Sequence, residues 1–167
     1  MPKEILQKGF FGIGVYQSKR EENIGTLWRS AYILGASFIF TIDKKYKRQA
    51  SDVLKTWRHI PLYHYDTIDE LYKALPYDSQ LIGVEMGEES VDIQDFEHPI
   101  RAVYLLGAED NGLPVHIIEK CHHLVKLQGT HSLNVAVAGS IILHDRAVKL
   151  EVDLPEFEYS NRVKGRG

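Results

Sequence analysis

Cysteine is almost missing from this sequence, since its 167 residues include only Cys121. A single cysteine excludes an intrachain disulfide, on which many small secreted domains depend. We therefore expect the chain to work in a reducing compartment, and we predict a cytoplasmic location.

Long apolar runs are missing as well. The most apolar stretch, Leu133 to Leu143, is far shorter than the roughly 20 residues of a membrane-spanning helix. Charged residues interrupt the first ten positions, so we expect neither a signal peptide nor a membrane segment. A hydrophobic fraction of 44% is ordinary for a globular domain. We place that domain at residues 1–150 and a tail at residues 151–167.

Several catalytic signatures are also missing. Gly12-Ile13-Gly14 lacks the third glycine of a dinucleotide fingerprint, and no glycine-rich loop ends in a lysine. Ser132 stands without the Gly-x-Ser-x-Gly turn of hydrolases. Cys121-His122-His123 points neighbouring side chains to opposite faces of a strand, which does not suit a metal. We therefore expect no metal site, no hydrolase triad and no phosphate loop.

Charge is unevenly distributed along the chain. Residues 1–66 contain eleven Lys or Arg against six Asp or Glu, whereas residues 67–97 contain one against nine. A basic first part hints at a polyanionic partner, although ordinary solvated charge explains composition equally well. The candidate contacts for such a partner are Lys19, Arg20, Lys44, Lys45, Lys47 and Arg48.

Apolar segments of strand length alternate with segments of helical periodicity. The expected strands are residues 10–16, 37–42, 61–65, 80–84, 101–106 and 122–127. Asn23 is a candidate N-cap for the first helix, and Asp66 or Thr67 for another. A short helical segment is expected near residues 51–57. This alternation predicts an α/β fold with a mostly parallel six-stranded sheet and helices on both faces.

Three strand ends carry glycine-bearing turns, after residues 84, 106 and 127. Ligands of open α/β sheets bind outside the carboxyl ends of the strands. Each glycine by itself is explained by turn geometry, but three such turns together favour a pocket at this edge.

The stretch from Val125 to Leu143 runs from a short strand through a polar turn into an apolar helix. Ala136, Ala138, Gly139 and Ser140 carry little bulk on that helix, so another backbone can approach it closely. Such a helix is normally buried on most sides. The sequence leaves open whether its partner is the same chain or a second copy.

Three motifs, in this order, resemble those of the SpoU/TrmH family within the SPOUT class of RNA methyltransferases. The first runs from Asn23 to Ala31, the second from Leu106 to Leu113, and the third from Val125 to Ala138 around Ser132-Leu133-Asn134. The resemblance covers roughly residues 10–148. It implies a C-terminal trefoil knot, a homodimer, and methyl transfer from S-adenosylmethionine to a ribose 2′-hydroxyl of tRNA or rRNA.

The resemblance also implies roles for individual residues. Arg29 matches the catalytic arginine, with Asn23 beside it; Glu109 matches the glutamate of the second motif, and Ser132 and Asn134 match the polar pair of the third. The implied cofactor contacts are Val84, Glu85, Gly107, Val125, Leu127 and Leu133. Lys126 stands where the family often has proline, and the turn before Ser132 is short.

The residues themselves also allow explanations that need no catalytic role. Arg29 lies about 200° around the helix from Leu27, so a solvated surface arginine explains it without catalysis. Ser132 is equally an ordinary helix cap. The competing functions are a knotted RNA-binding module without catalysis and an α/β domain for another adenine nucleotide, and the missing phosphate loop argues against the second.

Overall fold

The computed structural model describes residues 9–108 and 111–157. In these residues seven strands form one sheet: β1 Phe10–Tyr16, β2 Phe38–Ile42, β3 Leu62–Tyr65, β4 Gln80–Val84, β5 Val91–Asp92, β6 Arg101–Leu106 and β7 His123–Lys126. The strands lie in the order β3-β2-β1-β6-β4-β7-β5, and every neighbouring pair is parallel. The predicted α/β class is confirmed.

The helices are α1 Glu21–Ile33, α2 Ile68–Ala74, α3 Val115–Ile118 and α4 Val135–Lys149, with single 3-10 turns at Thr56–Arg58 and Ile93–Asp95. Helices α1 and α4 cover one face of the sheet, where Leu27 and Ile142 join the same buried cluster. Helices α2 and α3 cover the other face, where Leu71 and Ile117 are buried. The expectation of helices on both faces is therefore confirmed.

The strands supply both clusters because successive side chains point to opposite faces. In β6, Tyr104 and Leu106 face α1 and α4, whereas Val103 and Leu105 face α2 and α3. All five strand residues after Arg101 are buried, as expected for a parallel strand covered on both sides.

Gly12 and Gly14 have a packing role in β1. A Cβ atom on either glycine would collide with the aromatic ring of its neighbour in β2, Phe38 or Phe40. The Gly-Ile-Gly sequence is therefore explained by two large rings in the adjacent strand. No nucleotide is needed to account for it.

The structure corrects three details of the sequence-based fold. The sheet has a seventh strand, β5, in the acidic loop; its two residues pair with Val125 and Lys126 of β7. Helix α1 begins at Glu21 after Arg20, so Asn23 lies inside the first turn and does not cap it. The segment near residues 51–57 contains only the 3-10 turn, whereas Thr67 caps α2 as expected by accepting from the Glu70 N–H.

No helix in the described part of the chain is long and apolar enough to cross a membrane. The knotted path of the chain and the domain boundary at residue 150 stay predictions. Most of the proposed tail, from residue 158 onward, lies outside the described residues.

Candidate cofactor cleft and RNA surface

A cleft opens where β4, β6 and β7 end, at the edge that the glycine-bearing turns indicate. The empty space between its walls, including the part that is open to solvent, is about 520 Å³. The lining residues are Val84, Glu85, Met86, Leu106, Gly107, Ala108, Gly112, Lys126, Leu127, Ser132, Leu133, Val135 and Ala138. The walls are mainly apolar, with a carboxylate and an ammonium group among them.

The loop after β6 folds back on itself beside this cleft. The Gly112 N–H donates to the Ala108 carbonyl at 2.9 Å, which closes the loop. A Cβ atom on Gly107 would meet the backbone of Gly112 and would lie 2.7 Å from the nitrogen of Leu113. Gly112 itself has a φ of 61°, a left-handed conformation that favours glycine. Both glycines are thus required by the shape of the loop.

Glu85 holds the turns after β4 and β6 together. One carboxylate oxygen accepts from the Leu113 N–H at 2.6 Å, and the other accepts from the Met86 N–H at 3.1 Å. The Glu85 N–H in turn donates to the Val125 carbonyl at 3.0 Å. A carboxylate has about four acceptor positions, so Glu85 retains capacity for a ligand in the cleft.

Five of the six predicted cofactor residues line this cleft: Val84, Glu85, Gly107, Leu127 and Leu133. Val125 does not, because its side chain points from β7 into the buried core. The prediction of Val125 as a cofactor contact is therefore left to its backbone, whose carbonyl accepts from the N–H of Glu85, a residue that lines the cleft.

Sequence reasoning missed further lining residues, among them Met86, Lys126 and Ala138. Met86 and Lys126 directly follow or precede a predicted contact, so adjacency in the chain was the available signal. Ala138 lies in the first turn of α4, and no local pattern shows that this turn faces the cleft.

Asn134 caps the helix that begins at the cleft. Its side-chain oxygen accepts from the Ala136 N–H at 2.9 Å and the Val137 N–H at 3.4 Å. This corrects the alternative in which Ser132 is the cap. Ser132 instead lines the cleft and is exposed, two residues before the cap Asn134. The polar pair thus combines one capping residue and one hydroxyl directed toward ligand space.

Arg29 lies apart from the cleft. It is exposed on α1 and does not line the cleft. Within the described residues no hydrogen bond or ion pair holds its guanidinium group. Its helix is nevertheless the direct neighbour of α4, since the hydroxyl oxygens of Ser30 and Ser140 are 2.7 Å apart. Asn23 is half-buried at the start of α1, and Glu109 lies outside the described residues.

The model of the SpoU rRNA methylase family matches residues 11–144, which is most of the chain. The chain belongs to this family. Membership in this family of rRNA methylases confirms the resemblance that the three motifs indicate.

The chain is similar to known proteins in sequence and in fold. The chain is 26% identical over 132 residues to the mouse tRNA (guanosine(18)-2′-O)-methyltransferase TARBP1, covering 72% of this chain but 8% of that protein. It shares the fold of the Aquifex aeolicus (A. aeolicus) TrmH/SpoU tRNA-modifying enzyme, with a TM-score of 0.78, 20% identity, and coverage of 96% and 88% of the two chains. The fold is also that of the AdoMet-bound rRNA methyltransferase from Sinorhizobium meliloti, with a TM-score of 0.74 and 24% identity. This match covers 86% of the present chain and 57% of the other.

The small residues of α4 do not form a free face in this family member. Ala136, Ala138 and Gly139 are buried inside the chain. A Cβ atom on Gly139 would run into Leu27 of α1, so glycine permits the close packing of α1 against α4. The small-residue face is thus explained within one chain, and the dimer contact predicted there is wrong in its location.

The predicted RNA contacts lie around the start of α1 and the loop after β2. Lys19, Arg20 and Lys44 border one polar depression. Lys44 lies 3.9 Å from a Glu21 carboxylate oxygen, a long and exposed ion pair that contributes little stability. The other three, Lys45, Lys47 and Arg48, are exposed on the loop.

Proposed function

We propose that this chain binds S-adenosylmethionine in the cleft at the ends of β4, β6 and β7 and methylates a ribose 2′-hydroxyl of tRNA or rRNA in the cytoplasm. The observation that carries the proposal is the cleft itself. It gathers five residues that the resemblance assigned to the cofactor, from three separate parts of the sequence.

The residues of the cleft suit such a cofactor. Apolar side chains of Leu127, Leu133 and Val84 offer surfaces for a flat base, and the tight loop at Gly107 brings backbone close to a ligand. Glu85 supplies a carboxylate whose position is set by two backbone N–H groups. When bound, the sulfonium of S-adenosylmethionine supplies an electrophilic methyl group.

Arg29 is proposed to act on the ribose. A guanidinium group stays protonated and charged in proteins, so it is a poor base. It stabilises negative charge that develops on the 2′-oxygen, or it holds a neighbouring phosphate. Ser132, Asn134 and Asn23 are proposed as polar partners near the reacting hydroxyl, as is Glu109.

A homodimer explains how Arg29 and a cleft come together. Because Arg29 does not line its own cleft, we propose that it acts at the cleft of a second copy. The exposed side of α4 offers the contact: Val137, Ile141 and Val148 are 48%, 41% and 62% exposed at spacings of four and seven residues. This apolar stripe begins in the helix turn that borders the cleft, so a partner seated on it lies beside the cofactor.

Titration calorimetry tests the cofactor site. We expect one S-adenosylhomocysteine to bind per chain, and Glu85→Ala to weaken that binding roughly 10- to 100-fold, because a charged hydrogen-bond acceptor is lost and the loop is released. Glu88→Ala is the matched control, since Glu88 is an exposed glutamate near the same turn and outside the cleft.

If neither S-adenosylmethionine nor S-adenosylhomocysteine binds while RNA still does, the chain is an RNA-binding module without catalysis. Equal losses in Glu85→Ala and Glu88→Ala would place the cofactor elsewhere.

A further inference from the structure

An aromatic and cationic surface lies on the exposed side of α1, beside Arg29. It comprises Tyr32, Arg48, Trp57, Arg58 and His59, and we call it the Trp57 surface. The guanidinium carbon of Arg48 lies 3.7 Å from the centre of the Trp57 ring, and that of Arg58 lies 5.0 Å from it. The rings of Tyr32 and His59 stack with centroids 4.8 Å apart and planes inclined by 18°.

The segment that carries this surface is held firmly although it is mostly without regular structure. Buried Asp52 accepts from the Thr56 N–H at 3.0 Å and from its hydroxyl at 2.8 Å, which fixes the turn before Trp57. The Ser51 hydroxyl donates to the Glu22 carbonyl of α1 at 2.7 Å. Tyr46 packs edge-on against buried Trp28, with centroids 5.9 Å apart. The rings and cations are thus positioned before any partner arrives.

The cations of this surface have no carboxylate partner among residues 9–108 and 111–157. In the described residues, neither Arg48 nor Arg58 has a carboxylate within ion-pair distance. Asp52, the acid nearest in sequence, is buried and occupied by Thr56. Two guanidinium groups beside aromatic rings, and unpaired within the described part of the chain, fit a partner with both phosphates and flat bases.

Arg29 lies on the same helix as Tyr32, a residue of this surface. Arg29 and Tyr32 are three residues apart on α1, which places them on the same side of the helix as neighbours. Both side chains are exposed. Tyr32 stacks with His59, which follows Trp57 and Arg58 by two residues and one residue in the chain.

We propose that the Trp57 surface docks single-stranded RNA and guides the target ribose toward Arg29. Arg48 and Arg58 contact phosphates, while Tyr32 and His59 stack with an unpaired base. Bases in loops are splayed out and accessible, whereas the bases of a duplex are not. This inference rests on the proposed function for the role of Arg29, but the docking itself requires no cofactor.

The first experiment measures the affinity for unfractionated tRNA, without cofactor, as a function of salt. We expect Arg48→Gln with Arg58→Gln to lower the affinity and to flatten the slope of log K against log salt by up to ~1.4, at ~0.7 per phosphate contact on single strands. Neutralising Lys44, Lys45 and Lys47 as well should flatten it further.

The second experiment separates stacking from charge. Tyr32→Ala with His59→Ala should weaken tRNA binding between about fivefold and a hundredfold, the usual range for lost base stacking, with the salt slope unchanged. Polyphosphate carries charge without bases, so its affinity should fall in the arginine variant and not in the aromatic one.

Trp57 provides a direct signal. Trp57 is half-buried, whereas Trp28 is fully buried. Bound tRNA should therefore protect the fluorescence of Trp57 from quenching by acrylamide, and Trp57→Phe should remove that protected signal.

The matched control for the surface variants is Lys120→Gln with Tyr72→Ala. The Lys120 ammonium lies 5.1 Å from the centre of the Tyr72 ring, among helices on the opposite face of the sheet. It should leave tRNA binding unchanged.

Unchanged tRNA affinity in both surface variants, or an equal loss in the control, would overturn the docking proposal. A failure of the proposed function would look different, because S-adenosylhomocysteine would then not bind to the unmodified protein while its tRNA affinity still responded to the surface variants.

Discussion

The role proposed for Arg29 depends on where its side chain lies, and only partly on its charge. It is exposed on α1 and, in the described residues, without a hydrogen-bond or ion-pair partner. A fold gains nothing from an arginine in this position. Its guanidinium group is therefore available to substrate, on the helix that contacts α4 through Ser30 and Ser140.

We predict that Arg29→Ala lowers the rate of RNA methylation by roughly 10²–10³-fold, the usual effect of removing one group that stabilises developing charge. The affinity for S-adenosylhomocysteine should stay unchanged, because Arg29 does not line the cleft. Arg29→Lys is the control that keeps the charge and loses the planar fork. If cofactor affinity and rate fall equally in Arg29→Ala, the role assigned to Arg29 is wrong.

The same variant shows which protomer Arg29 serves. Mixing Arg29→Ala with Glu85→Ala forms hybrid dimers in which one protomer has an intact Arg29 and the other an intact cleft. Restored activity in the mixture supports action at the partner's cleft. Activity no higher than that of either variant alone would place Arg29 at the cleft of its own chain.

At the scale of elements, the two sides of α4 have different tasks. Its inner side contributes Gly139, which lets Leu27 of α1 pack against the helix backbone. Its outer side carries Val137, Ile141 and Val148, which remain exposed in the single chain. The inner side determines whether the domain folds, and the outer side is available to a second copy.

These two sides respond differently to substitution. Gly139→Leu should overpack the contact with α1 and lower the free energy of unfolding by about 1–3 kcal/mol. Ile141→Glu should leave folding nearly intact and convert the dimer to a monomer. Thermal unfolding and analytical ultracentrifugation measure the two effects. A concentration-independent monomer for the unmodified protein would refute the dimer.

For the whole molecule, a buried polar cluster connects α4 with the sheet. His98 lies between the Tyr104 hydroxyl and an Asp145 carboxylate oxygen, at 2.7 Å from each. Burial lowers the pKa of His98, although the contact with Asp145 opposes that shift. Arg146 and Lys149, both on α4, add positive charge nearby and lower the pKa of His98 further. The folded state therefore favours neutral His98.

We predict that the free energy of unfolding decreases as pH falls below about 6.5, the ordinary pKa of histidine. The reason is that His98 then becomes protonated in the unfolded chain while it stays neutral in the folded one. The loss is at most ~1.4 kcal/mol per pH unit and ends at the lowered folded pKa of His98. Denaturant unfolding between pH 7.5 and pH 5.5 measures it. His98→Gln should reduce this slope, whereas His116→Gln, at an exposed position of α3, should not.

The order and type of most elements follow from the sequence because their signals are local. Five buried strand residues in β6, or apolar positions at helical spacing in α1, lie within one segment and require no knowledge of the rest. The cleft was predictable for a related reason. Parallel strands end at the same edge, so the turns after residues 84, 106 and 127 had to meet there.

Contacts between distant segments were decided only by the tertiary structure. The small residues of α4 predict close packing, but not that Leu27 of the same chain occupies the space. Val125 carries the right motif, yet its side chain points into the core. The approach of Trp57 to Arg48, and of Tyr32 to His59, joins residues whose spacing has no local period. Packing places such residues together, because burying the apolar faces of the helices and strands determines which surfaces remain outside.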